Sequence, residues 1–358
     1  MSERQAGALR TGLIDPVGAE RQAVVLRVVD ESGVVGWGEA SPLPGYSEDT
    51  LADVEAGLDD WATRWERGEI PTTDEPGVES EPDLALARLP SARCAVDTAL
   101  LDLAARRRGV SLHARLLELA SPLRAVGRVP VAALVSLHGV ERPGTPSAPR
   151  SVLREVTERV AEGYKTVKLK IGGEDFAAEL EQLVEIRAAF PFLKLRLDVN
   201  GAWTPENARE RLAELKRQIN PELVEQPVGP EPLFSLGSVG VLLAADETMR
   251  LPGAIERLAE SGGCAMVVLK PMALGGPRAC LRIARAAFEG GMGVIVSHTF
   301  GGPVAHATAC ELALAIAAVD PTGTAPAAGL AGHDDLPQRR GPWVEPAAVT
   351  GHGVDAPW

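Results

Sequence analysis

From Val129 onward the chain alternates between short, apolar, strand-like runs and longer stretches of helical periodicity. No other feature constrains the fold as much. The runs lie at Val129–Val135, Thr166–Lys170, Leu195–Asp198, Leu223–Glu225, Val241–Ala245, Met266–Leu269 and Gly293–Ser297, with a fainter eighth at Ala327–Leu330. Helical stretches stand between most of them, at Ser151–Glu162, Ala177–Ala189, Pro205–Gln218, Gly253–Ser261, Pro277–Phe288 and Val304–Ala318; only the fourth connection is short. A repeat of about 20 to 37 residues is that of βα units, whose parallel strands need a crossover helix. Eight such strands fit a closed parallel barrel better than an open doubly wound sheet. No G-x-G-x-x-G follows any strand, which counts against a dinucleotide fold.

The preceding stretch reads differently. Gln22–Val29 is a β-branched run, Asp30-Glu31-Ser32-Gly33 a hairpin turn and Val34–Glu39 a second strand. Leu51–Trp65 and Ala92–Arg108 have helical spacing, the second ending at Gly109, and Asp74–Pro82 is a polar loop. The expected organisation is an α+β capping domain over residues 1–125, an α/β barrel over 126–330, and a C-terminal segment, 331–358, that packs back on the cap.

Composition narrows the partners. Lys plus Arg is 36 against 49 for Asp plus Glu, a formal charge of −13 with no basic run of five or more, which argues against nucleic acid. No segment approaches the roughly 18 apolar residues of a membrane helix, and Met1–Arg10 lacks the apolar core of a signal peptide. Cys94, Cys264, Cys280 and Cys310 form no C-x-x-C and sit in apolar stretches, so they are expected to be buried free thiols in a reducing, cytoplasmic setting. The histidines show no zinc spacing. The composition is compatible with an oligomer.

Polar residues gather where the apolar runs end, the rim on which parallel barrels carry their active sites. Asp198, Glu225 and Asp246 close three consecutive strands, about 4.8 Å apart, so the carboxylates can converge. Three anions that close need a cation, and an all-oxygen set suits Mg²⁺, with Mn²⁺ as a substitute. Lys168 and Lys170, two apart on one strand, share a face, and Lys270 lies about half-way round the barrel from them. A lysine beside a divalent cation and a second lysine is expected to have a depressed pKa and to serve as a general base. The set suits removal of a proton α to a carboxylate held by Mg²⁺. One lysine takes the proton; the opposite one protonates the other face, assists a leaving group or stabilises the anion. Asn200 and Glu247 stand ready to support the ligands from behind, and Gly301 and Gly302, opening a helix, offer N–H groups to a substrate carboxylate.

The order Lys-x-Lys, Asp, Glu, Asp, Lys resembles the enolase superfamily, in its muconate-lactonising branch. The resemblance covers nearly the whole chain and implies a modified (β/α)7β TIM barrel whose N-terminal α+β capping domain is completed by the C-terminal segment. Carried over, Asp198, Glu225 and Asp246 are the Mg²⁺ ligands, Lys170 the base, Lys168 its electrostatic partner and Lys270 the lysine of the opposite face. Within the branch, the segments Gly36–Ser47 (GWGEASPLPGYS), Arg196–Pro205 (RLDVNGAWTP) and Gly329–Leu336 (GLAGHDDL) resemble the o-succinylbenzoate synthase family of menaquinone biosynthesis. That implies syn dehydration of 2-succinyl-6-hydroxy-2,4-cyclohexadiene-1-carboxylate to 2-succinylbenzoate, Lys270 stabilising the enediolate. The Pro42–Ser47 loop, with Tyr46, is then a cap loop that closes over a small-molecule carboxylate substrate.

Ser297 and His298 are expected substrate contacts. His298 stands where the mandelate-racemase branch has a catalytic histidine, but that branch pairs it with an Asp where this chain has Lys270. The specificity loop around Asp15–Arg21 has no residue-by-residue match. An N-acylamino-acid racemase or dipeptide epimerase would use the same lysines. Dipeptide epimerases usually carry Asp-x-Asp after the eighth strand to hold an ammonium group, and His333-Asp334-Asp335 places two acids side by side instead. A Schiff-base aldolase through Lys270 or Lys170 is a competing lysine chemistry, and a barrel that binds without catalysis a more remote one.

Overall fold

The structure, a computed structural model, describes residues 4–14, 20–70, 84–137, 151–324 and 326–354. The Asp74–Pro82 loop and most of the Asp15–Arg21 segment lie outside the described residues. Strands β1 (Gln5–Ile14), β2 (Glu20–Val29) and β3 (Val35–Ala40) form an antiparallel sheet in that order. Helices α1 (Leu51–Glu66) and α2 (Pro90–Arg107) pack on it through Leu26, Val28, Val54, Leu58, Trp61 and Leu103. The Thr50 hydroxyl accepts the Asp53 N–H and starts α1 with a capping box. Gly38 lets β3 meet α2, because a Cβ there would lie 1.8 Å from the Ala95 carbonyl oxygen. The sequence reading did not anticipate β1 or the helix α3 (Leu112–Ala120). β1 carries Gly7 and Gly12 and brings only small residues, Ala6 and Ala8, to the core, so it lacks a β-branched signature.

The barrel follows. Its elements are β4 (Val129–Pro130), β5 (Ala133–Ser136), α4 (Val152–Ala161), β6 (Thr166–Lys170), α5 (Phe176–Ala189), β7 (Lys194–Asp198), α6 (Pro205–Gln218), β8 (Leu223–Glu225), α7 (Pro230–Leu233), β9 (Leu243–Ala245), α8 (Ala254–Ser261), β10 (Met266–Leu269), α9 (Pro271–Leu274), α10 (Pro277–Glu289), β11 (Gly293–Val296) and α11 (Pro303–Val319). β5 to β11 make a curled, all-parallel sheet of seven strands in sequence order. The expected first run is broken in two, β4 and β5. The expected eighth strand is reduced to two bridges, Val131 with Ala328 and Ser297 with Gly329, which join the two edges of the sheet. The Ala328 N–H donates to the Pro130 carbonyl and the Gly329 N–H to that of Val296, each at 2.8 Å.

A large apolar layer lies between strands and helices, with Leu169, Leu183, Leu197, Leu212 and Val267 in it. A separate small cluster, Leu223, Ala244, Val268 and Ile295, plugs the interior. Side chains alternate along a strand, so the next inward position after each of these lies two residues on, at the C-terminal rim. Those positions are Glu225, Asp246, Lys270 and Ser297. The C-terminal segment returns as the hairpin β12 (Arg339–Arg340) and β13 (Trp343–Val344), of which β13 pairs antiparallel with β4. Beyond it Gly351 bridges Ser111, and the His352 N–H donates to Asp102 of α2 at 2.9 Å. All four cysteines are buried and free. Among the described residues no helix is long and apolar enough to cross a membrane.

Candidate active site at the barrel rim

The in-register pairing of Lys170 with Asp198 and of Asp198 with Glu225 sets the rim residues of β6, β7 and β8 side by side. Lys168 lies between the carboxylates: its Nζ is 2.7 Å from Glu225 Oε1 and 2.8 Å from Asp198 Oδ2. Across the rim Lys270 Nζ donates to Asp246 Oδ2 at 2.5 Å. The structure thus gathers Lys168, Asp198, Glu225, Asp246 and Lys270 into one charged cluster on the apolar plug. Lys170 stands apart from these pairs, its Nζ 5.8 Å from the centre of the Phe300 ring.

The carboxylates dominate the electrostatics of the two paired lysines. Burial alone would lower the pKa of Lys168, but Asp198 and Glu225 outweigh it and the pKa is raised; Lys270 is raised in the same way, against burial, by Asp246 and Glu225. Glu225 is pushed up to about 8, by burial and then by the charge of Asp198. Asp246 is lowered although burial opposes it, because Lys270 and Lys168 lie close and Lys270 and Tyr46 donate to it.

Neighbouring residues fix the carboxylates. Gln226, fully buried, accepts the Asp246 and Thr248 N–H groups at 3.0 and 3.1 Å and donates to the Val228 carbonyl and Thr248 Oγ1, both at 2.9 Å. Asn200 donates its backbone N–H to Asp198 Oδ1 at 3.1 Å and its side-chain amide to Glu247 Oε1 at 3.2 Å. Both Asn200 and Gln226 hold a positive φ, bending the chain away just past the carboxylates. Burial and the charge of Asp246 raise the pKa of Glu247.

Among the described residues no three His, Cys, Asp or Glu side chains close on a common point, and Lys168 stands between Asp198 and Glu225. The donor set nevertheless suits a hard divalent cation. Three buried carboxylates face two contacting ammonium groups, one carboxylate holds a proton to about pH 8, and Glu247 Oε2 is buried without a partner.

The other residues expected to contact substrate have partners within the protein. The Ser297 hydroxyl donates to the Gly329 carbonyl at 3.0 Å and so serves barrel closure. His298 is one position past the inward parity, and its ring packs edge-on against His306 of α11, with centres 4.7 Å apart. Its Nδ1 accepts the Phe300 N–H at 3.0 Å, and burial followed by the charge of Lys270 pushes its pKa down to about 3. The Gly302 N–H, expected to be open to a ligand, donates to Glu39 Oε1 at 2.5 Å. The reason is a carboxylate from β3 that already occupies the start of α11. Gly301 offers its carbonyl to His333 at 3.0 Å.

Sequence reasoning missed four residues that organise this rim: Glu39, Gln226, Phe300 and Arg21. Arg21 of β2 donates to four carbonyls, those of Ser41 and Pro42 in the cap and of Thr299 and Phe300 on the barrel, at 2.7–3.0 Å. A polar residue inside an apolar run was the available signal for Glu39 and Gln226. The other two depend on contacts between distant segments.

Comparison with known proteins agrees with this architecture. Residues 151–355 match the family model described as Enolase C-terminal domain-like, and residues 13–89 match the one described as MenC, N-terminal domain. The L-Ala-D/L-Glu epimerase of Clostridium acetobutylicum is 28% identical over 298 residues, 82% of this chain and 78% of that protein. The o-succinylbenzoate synthase of Proteus mirabilis is 28% identical over 277 residues, 75% of this chain and 71% of that one. The dipeptide epimerase from Methylococcus capsulatus, solved with Mg and the dipeptide L-Arg-D-Lys, superposes with a TM-score of 0.77 at 23% identity, over 98% of both chains.

Proposed function

The chain belongs to the enolase superfamily, and from that premise we propose that it is a Mg²⁺-dependent o-succinylbenzoate synthase of menaquinone biosynthesis. The observation that carries the choice is the match of residues 13–89, which include the Pro42–Ser47 loop, to the MenC N-terminal domain. The reaction is the syn dehydration of 2-succinyl-6-hydroxy-2,4-cyclohexadiene-1-carboxylate.

Asp198, Glu225 and Asp246 would hold Mg²⁺, which when bound draws electron density from a substrate carboxylate and so acidifies its α-proton. Lys170, which no carboxylate holds in an ion pair among the described residues, takes that proton from C1. Lys270, on the opposite side beside Asp246, faces the negative charge that develops and stabilises it. Lys168 keeps Asp198 and Glu225 together and stays protonated. The proton on Lys170 then passes to the departing C6 hydroxyl. The electrons of the C1–H bond form the C1–C6 double bond, the C6–O bond breaks, and water leaves from the same face. The cap loop excludes bulk water during these steps.

The second reading is a racemase or epimerase acting on acylamino acids or dipeptides, supported by the epimerase relative that spans 82% of the chain. There Lys170 and Lys270 would exchange protons on opposite faces. One contact favours the dehydratase: Asp334 accepts from Arg339 Nη2 at 2.7 Å, so of the two adjacent acids only Asp335 is left for a substrate ammonium. The deciding experiment runs enzymatically generated diene substrate beside N-succinyl amino acids and L-Ala-L-Glu, with Mg²⁺ and with EDTA. Turnover of the diene that EDTA abolishes is expected. Turnover of the amino-acid substrates alone assigns the chain to the second reading, and full activity in metal-free protein overturns both.

A further inference from the structure

The cap reaches the charged cluster of the rim through the Tyr46 hydroxyl. Leu43-Pro44-Gly45-Tyr46 forms a tight turn in which the Tyr46 N–H donates to the Leu43 carbonyl at 3.0 Å. Pro44 presets the first corner, and Gly45, at φ +80°, takes the second, which disfavours a Cβ. The turn is closed by the Ser47 N–H to the same carbonyl at 2.8 Å and by the Leu43 N–H to the Ser47 hydroxyl at 2.9 Å. This rigid unit presents the Tyr46 ring to the barrel. The phenol donates to Asp246 Oδ1 at 2.8 Å, and Lys270 Nζ lies 4.3 Å from the ring centre. Arg250, just after Asp246, donates to the Tyr46 carbonyl and stands 4.6 Å from the ring centre.

Both oxygens of Asp246 are therefore held, Oδ2 by Lys270 of the barrel and Oδ1 by a residue of the other domain. The sequence placed Tyr46 against the substrate, yet its only polar group is spent on the carboxylate.

We propose that Tyr46 is a positioning residue for Asp246: it completes the cation site from the cap, so that cap closure and Mg²⁺ binding are coupled. The inference rests on the metal reading given above and deepens it. A hydroxyl that orients a ligating carboxylate makes the site stiffer and restricts which lone pair is offered, and loss of such a partner typically costs about 10- to 100-fold in metal affinity. Coupling is reciprocal, so Mg²⁺ must hold the loop shut by the same factor by which the shut loop strengthens Mg²⁺.

The test is Mg²⁺ titration by calorimetry of the full chain and of Tyr46→Phe, which keeps the ring and removes only the hydroxyl. A dissociation constant raised about tenfold or more is expected in Y46F. Ser47→Ala is the control, since it loosens the same turn but leaves the phenol, and it should bind Mg²⁺ as the parent does. Amide hydrogen exchange gives a second readout: saturating Mg²⁺ should slow exchange at Tyr46 and Ser47 in the parent and not in Y46F. Equal affinity of Y46F and parent overturns the coupling while leaving the metal reading intact. An equal loss in S47A overturns it as well, assigning the effect to loop rigidity. A parent that binds no Mg²⁺ overturns this inference together with the metal reading.

Discussion

Glu39, on β3 of the N-terminal domain, caps helix α11 of the barrel: its Oε1 accepts the Gly302 N–H at 2.5 Å and its Oε2 the Ala305 N–H at 3.1 Å. The Ser41 hydroxyl adds a third donor to the same carboxylate at 2.9 Å. Glu39 is thus a buried anion whose partners are mainly a helix terminus, and it joins the cap to the barrel beside the loop that carries His298 and Phe300.

Removing that carboxylate strands the buried Gly302 N–H and the part-buried Ala305 N–H and uncovers the positive end of α11. Glu39→Ala should lower stability by about 1–3 kcal/mol, the cost of buried donors left without acceptors. Urea unfolding measures it. An unchanged midpoint and slope would mean that water or a rearranged loop replaces the cap at no cost.

The two lysines differ in their surroundings, and this separates their roles. Lys270 is tied to Asp246 at 2.5 Å, whereas Lys170 has Phe300 as its nearest aromatic neighbour. Lys170→Ala should reduce turnover by about 10²- to 10⁴-fold, the usual worth of a positioned base, and should abolish exchange of the substrate α-proton with solvent deuterium. Lys270→Ala should also slow turnover but leave that exchange detectable, because it removes charge stabilisation and not the base. If exchange survives in K170A and vanishes in K270A, the roles are reversed.

Much of this arrangement was legible in the sequence because two periodicities speak directly. The βα repeat located the strands, and the period of two along each strand put Lys168, Lys170, Asp198, Glu225, Asp246 and Lys270 on one rim. The local neighbours of His298 and Ser297 were not legible, because they belong to other segments: the His298 ring packs against His306 of α11, and the Gly329 carbonyl takes the Ser297 hydroxyl. The pairing of the Gly302 N–H with Glu39 was hidden for the same reason, since Glu39 lies 263 residues earlier in the chain. Local pattern carries no record of such pairings. How strongly the carboxylates act on Lys168 and Lys270 was not legible either, because it depends on the distances at which Asp198, Glu225 and Asp246 stand from them.

Lys168 is the cation that keeps Asp198 and Glu225 together, with its side chain 14% exposed. Lys168→Met removes the charge and keeps the length. In chelator the variant should lose about 3–5 kcal/mol, as expected when one partner of a buried ion cluster is deleted. Saturating Mg²⁺ should recover a larger share of stability in K168M than it adds to the parent, because a cation bound to the same carboxylates replaces the missing charge. Thermal unfolding with and without Mg²⁺ reads both effects. A loss that Mg²⁺ leaves untouched would place the cation elsewhere.

Another buried carboxylate, remote from the rim, makes its own contribution to how stability depends on pH. Glu311 of α11 is fully buried; its Oε1 accepts from Gln338 Nε2 at 2.7 Å, and its Oε2 has no partner. Burial pushes its pKa up from 4.5 to about 7 despite the Gln338 hydrogen bond. The folded state therefore binds this proton more tightly than the unfolded chain does. The resulting stabilisation is complete below about pH 4.5 and is lost as pH rises through 7, a change of about 3 kcal/mol at 1.36 kcal/mol per pKa unit. Glu311→Gln cannot titrate and should escape that loss. The stability of E311Q relative to the parent should thus rise by about 3 kcal/mol between pH 4 and pH 8, measured by urea unfolding at each pH. Other titrating groups cancel in that difference. A difference that stays flat across the range would show that Glu311 is ionised at the same pH in the folded and unfolded states, and that its buried Oε2 finds a partner in solution.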